Sequence, residues 1–259
     1  MWLVTVFCAV VGLAIGSFLN VVIWRVPRDE SVVRPRSHCP SCGNPVRPYD
    51  DIPVVSWIVL RGRCRDCDQP ISIRYPLVEA GTALLFGVTA WHFGLSWELP
   101  AYLYLVAIGV ALALIDIDVH RLPNAIVLPS YVVAPILLTV ASLGDGDWAA
   151  LVRAAIGGAA LYVVYFLLRL AYPSGMGFGD VKLAGVLGMY LGWLGWGQLA
   201  VGAFLGFLLG GVVGGVLMAA NRASRKSKIP FGPFMIAGAY VAVLVGAQIS
   251  DLYLDLFVG

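Results

Sequence analysis

Long apolar runs separated by short polar segments dominate the sequence from end to end. A helix needs about 20 mostly apolar residues to cross the hydrocarbon core of a bilayer, and eight runs approach or exceed that length. The pattern therefore predicts an all-α polytopic membrane protein with about eight transmembrane helices. The predicted spans are residues 2–24, 77–93, 99–115, 125–143, 149–170, 181–196, 198–220 and 234–252.

The composition excludes several classes of protein. Hydrophobic residues make up 60% of the chain and charged residues 12%, and the mean hydropathy is +0.87. Soluble domains contain about 25% charged residues, so a water-soluble enzyme is excluded, as are a disordered chain and a collagen-like one. The formal net charge is only +2, which gives no sign of a nucleic-acid partner. The lipid bilayer is the partner that the composition indicates.

The basic residues are distributed unevenly between the predicted loops. With eight spans, all but one of the 17 Lys and Arg residues lie in or next to the loops on one side of the membrane, the exception being Arg153. Because basic loops stay in the cytoplasm, residues 25–76 are predicted to be cytoplasmic and both termini to lie outside, in a multi-pass protein of the inner membrane. The basic flank of the first run follows it, which favours a retained span over a cleaved signal peptide.

Residues 25–76 form the one sizeable segment with the composition of a soluble domain. This segment contains two C-x-x-C pairs, Cys39 with Cys42 and Cys64 with Cys67, separated by 21 residues. Four thiolates at this spacing are typical of a closed tetrahedral zinc site, and a metal would stabilise a loop that has little core of its own. We predict a structural zinc ion. The alternatives are two disulfides or a redox pair, which a reducing cytoplasm disfavours.

Four carboxylates lie within or against predicted spans on the cytoplasmic side, where an ionised group is costly and functional by default. Asp116 and Asp180 are 64 residues apart, and two membrane crossings between them return the chain to the same face. Two carboxylates held close together share a proton. One can then take a proton from water while the other polarises a carbonyl group, which is the chemistry of an aspartic protease. The four residues are Glu79, Asp116, Asp118 and Asp180.

Structural roles for these acids stay open at this point. Asp118 can pair with Arg121 at a solvated helix end, and Asp180 can cap the helix that follows it. Glu79 is either a cleft residue or a partner of Arg74. Because Asp116 and Asp118 are two residues apart, they lie on different faces of a helix, and we expect only one of them to face Asp180.

Six motifs in a fixed order extend over nearly the whole chain. Through them the sequence resembles the bacterial type IV prepilin peptidases, a branch of the GxGD-type intramembrane aspartic proteases. A short G-x-G-D motif alone is weak support, whereas six motifs on an eight-span frame are specific. The motifs are residues 16–21 (GSFLNV) with 25–27 (RVP), the paired C-x-x-C loop, 74–79 (RYPLVE), 116–124 (DIDVHRLPN), 177–182 (GFGDVK) and 229–234 (IPFGPF).

The resemblance implies a catalytic pair formed by Asp116 and Asp180, with Asp118 in reserve. It implies a division into a first transmembrane helix (1–24), a cytoplasmic zinc-binding loop domain (25–76) and a seven-helix transmembrane aspartic peptidase domain (77–259). Residues in possible supporting roles are Asp118, Gly177, Gly179, Lys182 and Glu79. We also expect the proline-flanked segment on the cytoplasmic side of the last span to line the substrate cleft, its residues being Pro230, Phe231, Gly232 and Pro233.

The resemblance further implies a leader peptidase for type IV prepilins and pseudopilins. The family cuts at the cytoplasmic membrane face, after a glycine and commonly at Gly-Phe, and many members then methylate the new N-terminus with S-adenosyl-L-methionine. Methylation is associated with the large first cytoplasmic loop, which this chain has; a peptidase without methyltransferase activity is the alternative. No G-x-G-x-x-G fingerprint follows a strand, so no methyl-donor residue is named.

Partners beyond the substrate follow from the same resemblance. Pilus or type II secretion assembly machinery is a possible partner of such an enzyme. Two other functions compete with the peptidase. A carboxylate-based transporter needs acids near the bilayer midplane and inverted repeats, whereas these acids lie at one edge. A metal-sensing scaffold leaves the buried aspartates unexplained.

Overall fold

The computed structural model describes residues 1–173, 175–222 and 229–257 of the chain. In this part every regular element is a helix, apart from two isolated bridges that pair His38 with Pro45 and Arg63 with Pro70. The predicted all-α fold is therefore confirmed. The α-helices are α1 (Trp2–Arg25), α2 (Val55–Val59), α3 (Arg74–Phe93), α4 (Leu99–Val119), α5 (Asn124–Asp145), α6 (Trp148–Ala171), α7 (Phe178–Leu194), α8 (Trp196–Ala219) and α9 (Gly232–Phe257).

Each of the eight predicted spans overlaps one long helix. Among the described residues, six helices are long and apolar enough to cross a membrane: α1, α4, α5, α6, α8 and α9. Of the other two, α7 has 17 residues and α3 contains Arg74, Glu79 and His92. Most helices also extend beyond the apolar run that predicted them, so that Asp116 and Asp118 belong to the last turns of α4.

One compact unit comprises residues 1–95 and 103–111. Its helices α1 and α3 pack backbone against backbone, because glycines on α1 leave no side chain between them. A Cβ atom on Gly12 would lie 2.8 Å from Cα of Ala83, and one on Gly16 would lie 2.7 Å from Cα of Glu79. The G-x-x-x-G spacing of these glycines is the one that membrane helices use for close approach.

A second unit comprises residues 96–102 with the described part of 112–259. Glycines again join neighbouring helices in pairs. A Cβ atom on Gly188 of α7 would lie 2.4 Å from the carbonyl oxygen of Gly157 of α6, and one on Gly238 of α9 would lie 2.5 Å from the amide nitrogen of Gly206 of α8. We call these two contacts and the α1–α3 contact the glycine seams.

Arg153, the basic residue that the orientation rule leaves on the outer side, has a structural partner in the second unit. Its guanidinium donates to the carbonyl oxygen of Trp193 at the C-terminal end of α7 (3.2 Å) and pairs with Asp147 at 3.4 Å. Asp147 in turn accepts from the amide of Ala150 and so caps α6. A cation at a helix C-terminus is stabilised by the helix dipole, which explains an arginine at this end of the helices.

Candidate active site and metal centre

The two C-x-x-C pairs are built in the same way. In the first pair, the amide of Cys39 donates to the carbonyl of Asn44 (2.9 Å), and the amide of Gly43 donates to the carbonyl of Cys39 (2.9 Å). The second pair repeats this pattern: the amide of Cys64 donates to the carbonyl of Gln69 (2.8 Å), and the amide of Asp68 donates to the carbonyl of Cys64 (3.0 Å). The fifth residue of each turn has positive φ, at +74° for Gly43 and +56° for Asp68. Glycine and aspartate tolerate this conformation, so the sequence forms two equivalent knuckles.

The knuckles bring all four sulfur atoms together. Their Sγ atoms lie within 4.8 Å of one another, and those of Cys39 and Cys67 are 3.7 Å apart. That separation is far too long for a disulfide bond. It fits the edge of a tetrahedron with metal–sulfur bonds of about 2.3 Å, which is roughly 3.8 Å. The four cysteines are therefore positioned to bind a metal ion, as the spacing predicts.

Backbone amides point at the sulfurs and favour the thiolate form. Hydrogen bonds from the amides of Cys42 and Ser41 lower the pKa of the Cys39 thiol to about 6. The amide of Asn44 makes the same kind of contact with Cys42, and that of Gln69 with Cys67. The pKa values of Cys42 and Cys67 are nevertheless raised, because loss of solvation and the neighbouring cysteines outweigh these amide hydrogen bonds. A metal ligand must be a thiolate, so the amides favour the form of each cysteine that binds a metal.

Ion pairs join the two knuckles independently of any metal. Arg65, which lies inside the second C-x-x-C turn, forms a bidentate pair with Asp50 at 2.7 and 2.9 Å. Its hydrogen bonds hold the pKa of Asp50 below the usual range of that carboxyl. Asp66 of the same turn accepts from Arg47 (3.0 Å) and Asn44 (3.3 Å), which follow the first pair. These four charged residues are thus used for the internal assembly of the loop.

Asp116 lies in the last turn of α4 and is only 5% exposed. Its Oδ2 accepts a 3.0 Å hydrogen bond from the backbone amide of Gly232, the first residue of α9. The carboxylate therefore faces a helix N-terminus, where free N–H groups and the helix dipole stabilise negative charge. Gly232 is required for this approach, because a Cβ atom there would lie 2.8 Å from the same oxygen.

Asp180 is 8% exposed and occupies the first turn of α7. Its Oδ2 accepts from the amide of Gly177 (2.9 Å), so the capping role left open by the sequence is present. Both acids are therefore buried in one unit, and each accepts a hydrogen bond from an amide at the N-terminal end of a helix, α9 for Asp116 and α7 for Asp180. The two carboxylates are close enough to interact electrostatically.

Leu122 connects the two segments that carry the acids. A Cβ atom on Gly179 would lie 2.9 Å from Cβ of Leu122, and one on Gly232 would lie 3.2 Å from Cδ2 of the same leucine. The side chain of Leu122 thus occupies the space that the missing side chains of both glycines leave. It fixes the start of α7 relative to the start of α9, a role that the sequence does not reveal.

Asp118 and Lys182, which were expected to support the pair of aspartates, differ in their surroundings. Asp118 is exposed, in contrast to Asp116, as their spacing on the helix requires. Lys182 donates from Nζ to Oδ1 of Asn124 (2.8 Å), and its carbonyl accepts from the hydroxyl of Tyr131 (2.7 Å). Lys182 therefore joins the beginning of α7 to α5.

The proline-flanked segment leads directly into α9. Pro230 and Phe231 are partly exposed, and the helix begins at Gly232 with Pro233 in its first turn. The ring of Phe231 packs against Phe207 of α8 and Tyr165 of α6, with centroid distances of 5.4 and 6.3 Å. Tyr165 is 2% exposed and interacts electrostatically with Asp180. A tyrosine in an apolar run carries no signal by which the sequence alone would have found it.

Glu79 is buried in the first unit, where it is 8% exposed. Its Oε2 accepts from the amide of Val54 at 2.7 Å, and the hydroxyl of Ser17 also bonds to the carboxylate. Both partners differ from the arginine that the sequence offered as one candidate. Glu79 thus connects helices α1 and α3 to the loop that carries the cysteines.

Comparison with known proteins places these features in a family. Residues 10–93 match the bacterial peptidase A24 N-terminal domain, and residues 103–218 match the type IV leader peptidase family. A prepilin leader peptidase/N-methyltransferase of Stutzerimonas stutzeri is 40% identical over 96% of this chain and 94% of its own length. A protein of the same name from Pseudomonas aeruginosa is 38% identical over 96% of this chain and 93% of its own length. Another from Myxococcus xanthus is 42% identical over 87% of this chain and 67% of its own length. No solved structure matches the chain.

Two family domains in the expected order and relatives at about 40% identity over almost the full length agree with the buried acids and the four-cysteine cluster. The chain belongs to the type IV prepilin leader peptidase family.

Proposed function

We propose that this protein is a membrane-embedded aspartic endopeptidase that removes the leader from type IV prepilins or pseudopilins and methylates the new N-terminus. The family and the names of its relatives support both activities. The observation that carries the peptidase half is the burial of Asp116 and Asp180 in one unit, each accepting a backbone hydrogen bond at a helix N-terminus.

Asp116 and Asp180 act as the catalytic pair in this proposal. One carboxylate is ionised and takes a proton from a water molecule as the water attacks the scissile carbonyl carbon. The other carries a proton and donates it to the carbonyl oxygen, which gives a neutral tetrahedral intermediate. The first carboxylate then donates its proton to the leaving nitrogen while the second takes a proton from a hydroxyl of the intermediate. The C–N bond breaks, the carbonyl re-forms and the pair returns to its starting state. The helix N-termini stabilise the ionised form in a site that excludes bulk water.

The substrate cleft is proposed to include Pro230, Phe231, Gly232 and Pro233. Gly232 contacts Asp116, so a peptide beside this segment lies next to the carboxylate. Gly177 leaves the approach to Asp180 without side-chain bulk, Gly179 makes room for Leu122, and Lys182 holds the start of α7 in place. Asp118 remains a reserve candidate for the catalytic pair.

Zinc is the metal we propose for the four-cysteine cluster, because four thiolates in a closed tetrahedral set suit Zn²⁺ and leave no position for a catalytic water. Its role is to stabilise the loop. S-adenosyl-L-methionine supplies the methyl group for the second activity, and we assign no residue to its binding.

We propose eight membrane spans, with α3 and α7 crossing in addition to the six helices of sufficient length and apolarity. The loop of residues 25–76 and the aspartates then face the cytoplasm and both termini lie outside. The division into a first span (1–24), a zinc-binding loop domain (25–76) and a seven-helix peptidase domain (77–259) belongs to the same proposal. Pilus or type II secretion machinery remains a proposed partner.

Cleavage of a prepilin with a Gly-Phe junction by the detergent-solubilised protein tests the catalytic pair. We expect Asp116→Asn and Asp180→Asn to lose cleavage by at least about a thousandfold, because either change removes one half of the proton exchange. Asp118→Asn tests the reserve candidate, and we expect it to retain activity because Asp118 is exposed, in contrast to Asp116. Persistent cleavage in either of the first two variants would falsify the assignment.

A further inference from the structure

Val54 adopts a conformation that β-branched residues avoid. Its φ and ψ angles are +62° and −49°, and the amide of Val55 donates to the carbonyl of Pro53 at 2.6 Å. This is a γ-turn of the positive-φ type, which is rare and strained. A β-branched residue at positive φ is a genuine outlier, and such strain persists only where the surroundings enforce it.

The carboxylate of Glu79 holds Val54 in this conformation. The amide of Val54, at the centre of the turn, donates to Oε2 of Glu79 at 2.7 Å. The carboxylate is buried and also bonds to the hydroxyl of Ser17. Ser17 follows Gly16, whose missing side chain allows α1 to touch the backbone of Glu79. The close packing of α1 and α3 at their glycine seam thus directs the carboxylate of Glu79 towards the amide of Val54 in the strained turn.

The strained turn is connected to both cysteine knuckles through α2. Ser56 donates to the carbonyl of Tyr49 (3.0 Å) and accepts from the amide of Ile52 (3.1 Å), which ties α2 to the segment after the first knuckle. Trp57 donates from its indole to the carbonyl of Ile71 (3.1 Å), which follows the second knuckle. The ring of Trp57 also packs on Gly62, where a Cβ atom would lie only 2.9 Å away. A displacement of α2 therefore moves both knuckles.

We propose that Glu79 is a positioning residue that holds the four-cysteine loop in register on helices α1 and α3 through the Val54 turn. The strain at Val54 makes the loop dependent on this one hydrogen bond. Without the acceptor, the turn relaxes to an ordinary conformation and α2 loses its fixed direction. The consequence for activity rests on the proposed function and on the association of methylation with the large first loop, which the family resemblance implies.

Three single variants test the proposal in the full-length protein. Glu79→Ala removes the acceptor, whereas Glu79→Gln keeps an oxygen that accepts from Val54 without the charge. Thr82→Val is the matched control, because Thr82 is fully buried one turn further along α3 and its hydroxyl donates to the carbonyl of Val78 in the same helix. Amide hydrogen exchange of residues 53–60, zinc content, prepilin cleavage and methyl transfer are measured on the same samples.

We expect Glu79→Ala to speed amide exchange over residues 53–60 by about tenfold or more, because a lost hydrogen bond to a charged group has that order of effect. Methyl transfer per cleaved substrate should fall by a comparable factor while the zinc content is kept. Glu79→Gln and Thr82→Val should resemble the wild type. Unchanged exchange in Glu79→Ala, or a Gln variant as impaired as the Ala variant, overturns the proposal.

A double variant separates positioning from direct chemistry. Glycine takes positive φ without strain, so Val54→Gly should preserve the turn without its acceptor and restore methyl transfer in the Glu79→Ala background. A lack of recovery would mean that Glu79 itself acts on a reactant, contrary to the proposal. If the wild type cleaves without methylating, the proposed methyltransferase function fails, and the exchange measurement alone then decides the role of Glu79.

Discussion

At the scale of single residues, the two acids illustrate how a carboxylate is kept in an apolar setting. Asp116 accepts from the first amide of α9 and Asp180 from the amide that precedes α7. Neither of these two hydrogen bonds involves a basic side chain. Backbone amides and helix dipoles supply the stabilisation instead, and they stay in place throughout a reaction.

Gly232→Ala should disable cleavage without unfolding the protein. The added Cβ atom would lie 2.8 Å from Oδ2 of Asp116, and that oxygen is the movable end of a side chain, so the carboxylate shifts while the helix remains. A displacement of about 1 Å at a catalytic group costs roughly a hundredfold in rate. The rate of prepilin cleavage and the melting temperature in detergent are the measurements.

The control for this substitution is Gly211→Ala. Gly211 lies on α8, and among the described residues no atom outside its own stretch of helix lies within 4 Å of its added Cβ. Alanine also favours a helix over glycine. It should leave the cleavage rate unchanged. Full activity in Gly232→Ala would show that the Asp116–Gly232 contact has no part in the reaction.

The sequence predicts the acids better than it predicts their partners. Spacing places Asp116 and Asp118 on different faces of a helix, and the structure buries the first and exposes the second. The contact of Asp116 with Gly232 joins residues 116 positions apart, and no local pattern encodes it. Glu79 bonds to Val54 and Ser17 for the same reason: the close approach of α1 and α3 decides its neighbours.

At the scale of elements, the cysteine knuckles are the part most completely encoded locally. The C-x-x-C spacing, the glycine at position 43 and the bridges on either side all lie within a few residues of each other. The long helices are equally predictable in position, since apolar runs must be helical in a membrane. Among the described residues, six of the eight are long and apolar enough to cross it. The ends of the helices are less predictable, because hydrogen bonding continues past the apolar run, as in α9, which extends to Phe257.

Cys39→Ser should release the metal and loosen the loop while the membrane helices remain folded. A structural zinc ion contributes about 10–16 kcal/mol in zinc-finger peptides, far more than the exposed ion pairs of the loop supply. We expect zinc content to fall from about one ion per chain to near zero, and limited proteolysis to cut within residues 25–76.

Cys8→Ala controls for the loss of a thiol, because Cys8 is a free, buried cysteine of α1. It should keep both its metal and its resistance to protease. Equal zinc content in Cys39→Ser and the wild type would contradict the proposed metal site, and retention of another metal in place of zinc would correct its identity.

At the scale of the whole molecule, the charge distribution leads to a prediction of topology. Alkaline phosphatase, which is active only after export, is fused after Arg36, Trp97 or the C-terminal Gly259. If basic loops stay inside, the fusion at Arg36 should be inactive and the other two active. An active fusion at Arg36 or an inactive one at Gly259 would reverse the orientation or change the number of spans.

The glycine seams have a consequence for the separation of the two acids. Two helices joined backbone to backbone by a glycine seam cannot easily slide past each other, so we expect each such pair to move as one rigid body. Movement is then concentrated at the contacts between pairs, which side chains mediate. Asp180 belongs to the α6–α7 pair, whereas Asp116 accepts a hydrogen bond from Gly232 of the α8–α9 pair. We therefore expect the separation of the two carboxylates to depend on the contacts between these two helix pairs more than on the contacts within each pair.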